Sequence, residues 1–263
     1  MIDLHSHILP GIDDGAKSLD ISLAMARQAV ADGIHTMACT PHIYPGLYMN
    51  ATEGIVQARD ALQAELNAQN IALQLVIGAD VHLVPGLLTG LRAGHVPTLN
   101  NSRYLLLEPS HHVAPPRLAE SIFELVVAGY TPVITHPERL TWIETHYQVF
   151  VDMTQQGAWM QVTAGALTGM FGPRAKYWGE KFIGEGHTHI LATDAHSNER
   201  RRPCLSEGLA VAERLIGHAE AQRLVVERPQ AILSNTSPSL VAPLVKPMSR
   251  KSWFGRFWPT ANR

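Results

Sequence analysis

The chain is poor in the residues that would place it in several large functional classes. It has only two cysteines, Cys39 and Cys204, in 263 residues. Two thiols so far apart build no disulfide framework, which fits a reducing compartment. Neither opens a Cys-x5-Arg loop, because Pro45 and Ala210 stand where the arginine would be. Phosphate chemistry through a thiolate is therefore not expected. No apolar run reaches the roughly 18 residues that a membrane span needs. An excess of charge is also lacking: the net charge is -2, so there is no overall electrostatic case for a nucleic-acid partner. Strand-like and ligand-like residues begin within positions 1–7, so no cleaved leader is expected and the body of the protein is expected in the cytoplasm.

Histidine is what the chain has in excess, with 14 residues, alongside 46% hydrophobic content that allows a sizeable core. His5 and His7 follow an apolar start, Met1-Ile-Asp-Leu, and precede the turn Pro10-Gly-Ile-Asp13-Asp14-Gly15. On a strand, positions i and i+2 face the same way, so the two imidazoles converge. Such a pair at a strand end, followed by carboxylates, reads as half of a metal site, although HxH alone is a weak signal.

Apolar runs and helical patterns then alternate. A helix is expected over 19–32, with Ser18 as N-cap and Gly33 past its end. Thr36–Thr40 reads as a strand closed by Pro41-His42, and Asn50-x-x-Glu53 as a capping box opening a helix to about 69. A strand over 72–79 ends at Asp80, a short helix is expected near 85–93, and a strand over 103–108 ends at Glu108. A helix over 114–127 would carry Pro115-Pro116 in its first turn, and a strand over 131–136 ends at His136. Thr141-x-x-Glu144 is expected to cap the next helix, to about 156. The strand Trp159–Thr163 ends without a ligand, a helix follows around 171–185, and the last strand leads to Asp194 and His196. Helix is expected over about 204–234. Seven βα alternations point to a parallel sheet, and a ligand at nearly every strand end points to a barrel with its site on the C-terminal rim.

His5, His7, Asp14, His42, Asp80, Glu108, His136, Asp194 and His196 form the candidate set. Singly, each has an ordinary explanation as a rim hydrogen-bonding residue or a helix cap. Together they do not, because four clustered carboxylates repel one another unless cations neutralise them. Nitrogen and oxygen donors without thiolate suit two or three ions of Mn, Fe or Zn. Such ions would make hydroxide from water near neutral pH and clamp phosphoryl oxygens.

The ordered motifs Asp3-Leu-His5-Ser-His7, Asp13-Asp14-Gly15, Thr40-Pro41-His42, Gly78-Ala-Asp80, Leu107-Glu108, His136-Pro-Glu-Arg139 and Thr193-Asp194-Ala-His196 resemble the PHP (polymerase and histidinol phosphatase) superfamily. Its opening is similar to that of the bacterial manganese-dependent protein-tyrosine phosphatases of capsule and exopolysaccharide operons. The resemblance covers about residues 1–235. It implies an α/β fold, a distorted (β/α)7 barrel of the PHP type, with three divalent metal ions at the C-terminal rim. It implies that His5, His7 and Asp194 hold one ion, that Asp80 bridges to a second completed by Glu108 and His136, and that Asp14, His42 and His196 hold the third. Arg139 would bind the substrate phosphate, helped by Arg201 or Arg202. The implied reaction is attack of metal-bound hydroxide on phosphotyrosine of a bacterial tyrosine kinase. Where the family usually has Glu, this chain has the shorter Asp80, which bears on metal preference.

Residues 1–237 are expected to form the barrel and 238–263 a flexible tail. The tail carries Lys246, Arg250, Lys251, Arg256 and Arg263 interleaved with Trp253, Phe254, Phe257 and Trp258, a pattern suited to an anionic membrane surface or an acidic partner. Rival readings are a small-molecule phosphatase of the same superfamily, an amidohydrolase, and a metal-binding regulator without activity. Tyr44 and Tyr48, on a rim loop, are candidates to stack on an aromatic substrate, and His111-His112 to line the pocket.

Overall fold

The computed structural model describes residues 1–245, so the basic, aromatic stretch 246–263 lies outside the described residues. The chain runs β1 (Ile2–Asp3), α1 (Leu19–Ala31), β2 (Thr36–Cys39), β3 (His42–Tyr44), β4 (Tyr48–Met49), α2 (Thr52–Ala68), β5 (Gln74–Ile77) and β6 (Asp80–His82). It continues through α3 (Leu87–Arg92), β7 (Tyr104–Glu108), α4 (Leu118–Val127), β8 (Thr131–Thr135), α5 (Ile143–Gln155), β9 (Trp159–Thr163), α6 (Ala164–Leu167), α7 (Gly172–Gly184) and β10 (Ile190–Ala192). It ends in α8 (Ser206–Ile216), α9 (His218–Gln222) and α10 (Arg228–Leu233), with one π-helical turn at Arg223–Glu227.

The architecture is α/β with parallel pairing. A three-stranded sheet has the order β1-β2-β5, and a seven-stranded one the order β10-β9-β8-β7-β6-β3-β4, in which only the β3–β4 hairpin is antiparallel. The expected strands over 36–40 and 72–79 appear as β2 and β5, and each is followed at once, across Thr40-Pro41 and Gly78-Ala79, by a further short strand, β3 and β6, that joins the other sheet. Beyond the regular strands, His7 N–H donates to Ala195 O (2.8 Å) and Asp194 N–H to His5 O (2.9 Å), and Ser6 bridges Ala195 in parallel register. These bonds tie the segment after β1 to the segment after β10. Strands β7, β8 and β9 are buried along their whole length, as expected of strands covered on both faces.

Helix α1 starts as its sequence predicts: Ser18 accepts a hydrogen bond from Ile21 N–H, and Gly33 beyond the end has φ +87°. Three local expectations fail, each because a tertiary contact outcompetes local propensity. Asn50 does not cap α2; its amide donates to Ile12 O (3.0 Å) and His42 O (2.9 Å), fastening the hairpin to the first loop. Thr141 does not cap α5; its hydroxyl donates to His111 O (3.0 Å) and His112 O (3.4 Å). Pro115-Pro116 lie before α4 rather than in its first turn, and the helix begins after Arg117 at φ +56°. The residue before a proline is driven away from helical geometry, so the double proline delays the start.

Asp3 is fully buried and accepts from Thr193 N–H (3.0 Å), Thr193 Oγ1 (2.5 Å) and His5 N–H (3.3 Å). Replacing it with alanine strands two backbone donors in the interior. Asp3→Ala is expected to lower unfolding free energy by about 2–3 kcal/mol, measured by denaturant titration. An unchanged midpoint would show that this tie between β1 and β10 contributes nothing.

Candidate metal centre

The strand ends deliver their side chains to one point. His5 and His7 present Nε2 atoms 3.2 Å apart. Their Nδ1 atoms are otherwise engaged: His5 Nδ1–H donates to Gln161 Oε1 (2.8 Å) and His7 Nδ1–H to Asp13 Oδ2 (2.7 Å). With Nδ1 protonated, each neutral ring turns a bare lone pair toward the other, an arrangement that only a cation or a proton relieves. Asp13 does more than shape the turn. It takes Gly15 N–H (2.9 Å) and His42 N–H (3.2 Å) as well, so one carboxylate orients two imidazole-bearing segments. Gly15 is required there, since a Cβ would lie 2.1 Å from His7 O.

Asp80, on β6, reaches His5 Nε2 (3.4 Å), His42 Nδ1 (3.5 Å) and His136 Nε2 (4.0 Å) through Oδ2. Glu108, ending β7, lies 3.6 Å from His136 Nε2 and 3.5 Å from His42 Nδ1. Asp14 stands 3.5 Å from His42 Nε2 and 3.4 Å from His196 Nε2. Asp194 Oδ1 is shared by His5 (3.3 Å), His7 (3.4 Å) and His196 (3.6 Å). All nine candidates therefore converge. Most of these separations are long for hydrogen bonds. Ligands held about 2.1 Å from one ion stand roughly 3.0–3.4 Å from each other, which suits the spacing seen.

The residues fit a metal cluster on a second ground. Asp80 is fully buried, and neither of its oxygens has a hydrogen-bond partner. A buried carboxylate without donors is costly unless a cation coordinates it. Four-residue and three-residue groups whose donor atoms lie within 4.8 Å of one another are His7/Asp14/His42/His196, His5/His7/Asp80, His5/His136/Asp194, Glu108/His111/His136 and His42/Asp80/Glu108. His111, expected to line the pocket, joins one of these groups, with its Nε2 3.2 Å from Glu108 Oε1. The residue that sequence reasoning left aside is His82, whose Nδ1 donates to Glu108 Oε2 (3.1 Å). Strand alternation places His82 beside Asp80 on the same face, a signal present in the spacing.

Backbone strain accompanies two of the candidates: His136 has φ +34° and Asp194 φ +52°. Non-glycine residues in this region are uncommon, and here they turn the side chain inward at the ends of β8 and β10. Arg139, in the turn after His136, donates to Asp194 Oδ2, and Arg201 donates to the same oxygen at 2.5 Å. Phe171 lies beneath both guanidiniums, 4.3 Å from Arg139 and 5.7 Å from Arg201. Arg202 points elsewhere, to Glu207 at 2.6 Å.

Burial lowers the proton affinity of the His7 ring, but hydrogen bonds to Asp13 and Asp194 outweigh it and push its pKa up to about 10. Burial, then the neighbouring His7, takes His196 down to about 4. Asp194 is held well below the usual range despite its burial, by Arg201, His5 and Arg139. The cleft over this floor has a volume of about 440 Å³ and is walled by Tyr44, Leu47 and Tyr48 on one side and by Ser110, His111 and His112 on another. A second cavity of about 480 Å³, between Leu83–Thr89 and Pro115–Leu125, holds no candidate ligand.

The parallel α/β fold is shared with histidinol phosphate phosphatase of Lactococcus lactis at TM-score 0.53 and 12% identity, over 83% of this chain and 93% of that one, a likeness of fold alone. Residues 1–234 match the family model for capsular polysaccharide synthesis, CpsB/CapC, and the chain belongs to that family. Among its relatives, the tyrosine-protein phosphatase YwqE of Bacillus subtilis is 35% identical over 259 residues, 98% of this chain and all (100%) of that protein. The tyrosine-protein phosphatase CpsB of Streptococcus pneumoniae is 30% identical over 89% of this chain and 98% of its own. A crystal structure from work on these two proteins, described as metal-dependent tyrosine phosphatases, superposes with TM-score 0.87 at 32% identity, covering 94% of this chain and 99% of that one.

Cation uptake must expel the proton that His7 holds up to about pH 10. Affinity for a divalent cation is therefore expected to rise with pH across the neutral range, with proton release on binding. Calorimetry in two buffers of different ionisation heat reads the released protons; a buffer-independent heat would contradict the protonated resting state. In Asp80→Ala the rise in melting temperature that added cation gives the wild type is expected to vanish.

Proposed function

We propose that this chain is a metal-dependent protein-tyrosine-phosphate phosphatase. The observation that carries the reading is the cluster around Asp80, whose buried, unpartnered carboxylate sits among imidazoles and other carboxylates at coordination spacing. Membership of the CpsB/CapC family, with relatives named as tyrosine-protein phosphatases, supplies the substrate class.

The finer assignment takes three divalent ions, with manganese as first choice and iron or zinc as alternatives suited to these donors. His5, His7 and Asp194 hold the first, Asp80 bridges to the second, Glu108 and His136 complete it, and Asp14, His42 and His196 hold the third. The His7/Asp14/His42/His196 grouping supports this partition and adds His7 as a neighbour of the third position. Bound ions supply the positive charge that activates water and neutralises the phosphoryl oxygens. The chain's own guanidiniums do the positioning. Arg139 and Arg201 converge on Asp194 Oδ2 over Phe171, so a phosphate entering there meets two cations already aimed at one point. Arg201, not Arg202, is the second phosphate-binding arginine on this reading, because Arg202 is paired with exposed Glu207. The passage of the chain between the two sheets from β2 to β3 and from β5 to β6, and the bridge between Ser6 and Ala195, support reading 1–237 as one distorted (β/α)7 barrel.

The physiological substrate is a tyrosine-phosphorylated kinase of polysaccharide export. The basic, aromatic residues 246–263 are read as a contact to an anionic membrane surface near that kinase, on composition alone. Among the described residues, no helix is long and apolar enough to cross a membrane.

Metal-loaded protein is expected to release phosphate from a phosphotyrosine peptide, to lose that activity with chelator, and to act poorly on histidinol phosphate and on an N-acyl substrate. Arg139→Ala and Arg201→Ala are each expected to lower kcat/KM by about 10²-fold, while Arg202→Ala stays near wild type. Selective turnover of histidinol phosphate would replace the protein substrate with a small one, and turnover of the N-acyl substrate would overturn the phosphatase reading.

A further inference from the structure

The cleft is almost entirely polar. Apart from Tyr44, Leu47 and Tyr48, the side chains lining it are imidazoles, carboxylates, guanidiniums and one serine. Those three residues all belong to the β3–β4 hairpin and its turn, which follows directly on His42. Leu47 is 62% exposed although it faces the cleft, and Tyr44 is 38% exposed. The hairpin is held in place from below. Tyr44 stacks on His82 with ring centroids 3.9 Å apart and planes 10° from parallel, and His82 is bonded to Glu108. Tyr48 stacks on His42 at 5.5 Å and 17°. Asn50 fastens the return strand to Ile12 O and His42 O. An apolar, solvent-facing wall fixed at three points is costly to maintain unless something covers it in use.

We infer that the Tyr44–Leu47 wall of the hairpin is the aryl-binding surface that makes the site select phosphate esters of phenols over those of alkyl alcohols. The inference rests on the phosphatase reading and deepens it. The guanidiniums of Arg139 and Arg201 gather at Asp194, whereas the hairpin rises over His42 and His82, on the Glu108 side. A phosphate drawn toward the arginines has its ester substituent left in the cleft, where the hairpin is the apolar surface on offer. A phenol ring gains from contact with Leu47 and the edge of Tyr44; an alkyl chain of serine-like size does not reach enough of it.

Binding of benzylphosphonate and of inorganic phosphate to the metal-loaded protein, measured by calorimetry, separates the aryl contribution from that of the phosphate. In Leu47→Ser and Tyr44→Ala the preference for benzylphosphonate over phosphate is expected to fall roughly three- to tenfold. Tyr44→Phe and Leu47→Met are expected to restore it. Leu47→Ser guards against the objection that losing Tyr44 merely loosens His82 and Glu108, because Leu47 lies at the exposed tip. A preference unchanged in both truncations, or a loss of phosphate affinity as large as that of benzylphosphonate, overturns the inference. Wild-type turnover of a phosphotyrosine peptide reports separately on the phosphatase reading, so the two fail in different experiments.

Discussion

Five imidazoles and four carboxylates meet above the strand ends at separations mostly between 3.2 and 3.6 Å, and the electrostatics of that meeting governs the rest of the site. Like-charged carboxylates this close cannot all ionise without compensation, and bare imidazole lone pairs cannot face one another. The chain offers partial answers of its own: a proton on His7, and two guanidiniums on Asp194. It offers buried Asp80 no hydrogen bond, only imidazole nitrogens at 3.4–4.0 Å. A cluster of this donor set suits metal binding.

Holding such a cluster together requires the backbone to do what local propensity resists. His136 and Asp194 take left-handed φ values at the ends of β8 and β10. The surrounding structure over-determines them: Asp194 N–H is bonded to His5 O, and Thr193 is gripped by Asp3. Behind the inward-facing nitrogens stand Gln161 and Asp13, which set the tautomers of His5 and His7. The geometry of the candidate ligands therefore depends on a buried layer that includes a strand, β9, contributing no candidate itself.

This layering explains what was legible in the sequence. Strand ends were legible because short continuous apolar runs stop at a His, Asp or Glu, and the nine candidates fall together in the structure. Interactions between distant residues were not. Asn50 and Thr141 have the local look of helix caps, yet each hydrogen-bonds a carbonyl far along the chain, since no sequence pattern encodes which loop will pass nearby. Two arginines side by side, Arg201 and Arg202, are equivalent on paper; the fold separates them by turning one to Asp194 and the other to Glu207. Phe171, which supports both phosphate-facing guanidiniums, gave no signal at all, because an aromatic before a helix is ordinarily a packing residue.

Asp194 has the most connected role. One oxygen faces three imidazoles and the other accepts from both Arg139 and Arg201. Any phosphate that enters must compete with this carboxylate for the guanidiniums, so phosphate binding and the charge balance of the cluster are coupled through one side chain. Neither thiol offers another route: burial pushes the buried Cys39 up, and Cys204 is raised by burial too, with its thiol bonded to Asp32. Under the proposed reaction, with water as the nucleophile, the groups that position and neutralise the phosphate carry the discrimination. On that proposal the weight of specificity falls on the guanidiniums for the phosphate and on the hairpin's apolar wall for whatever the phosphate is attached to.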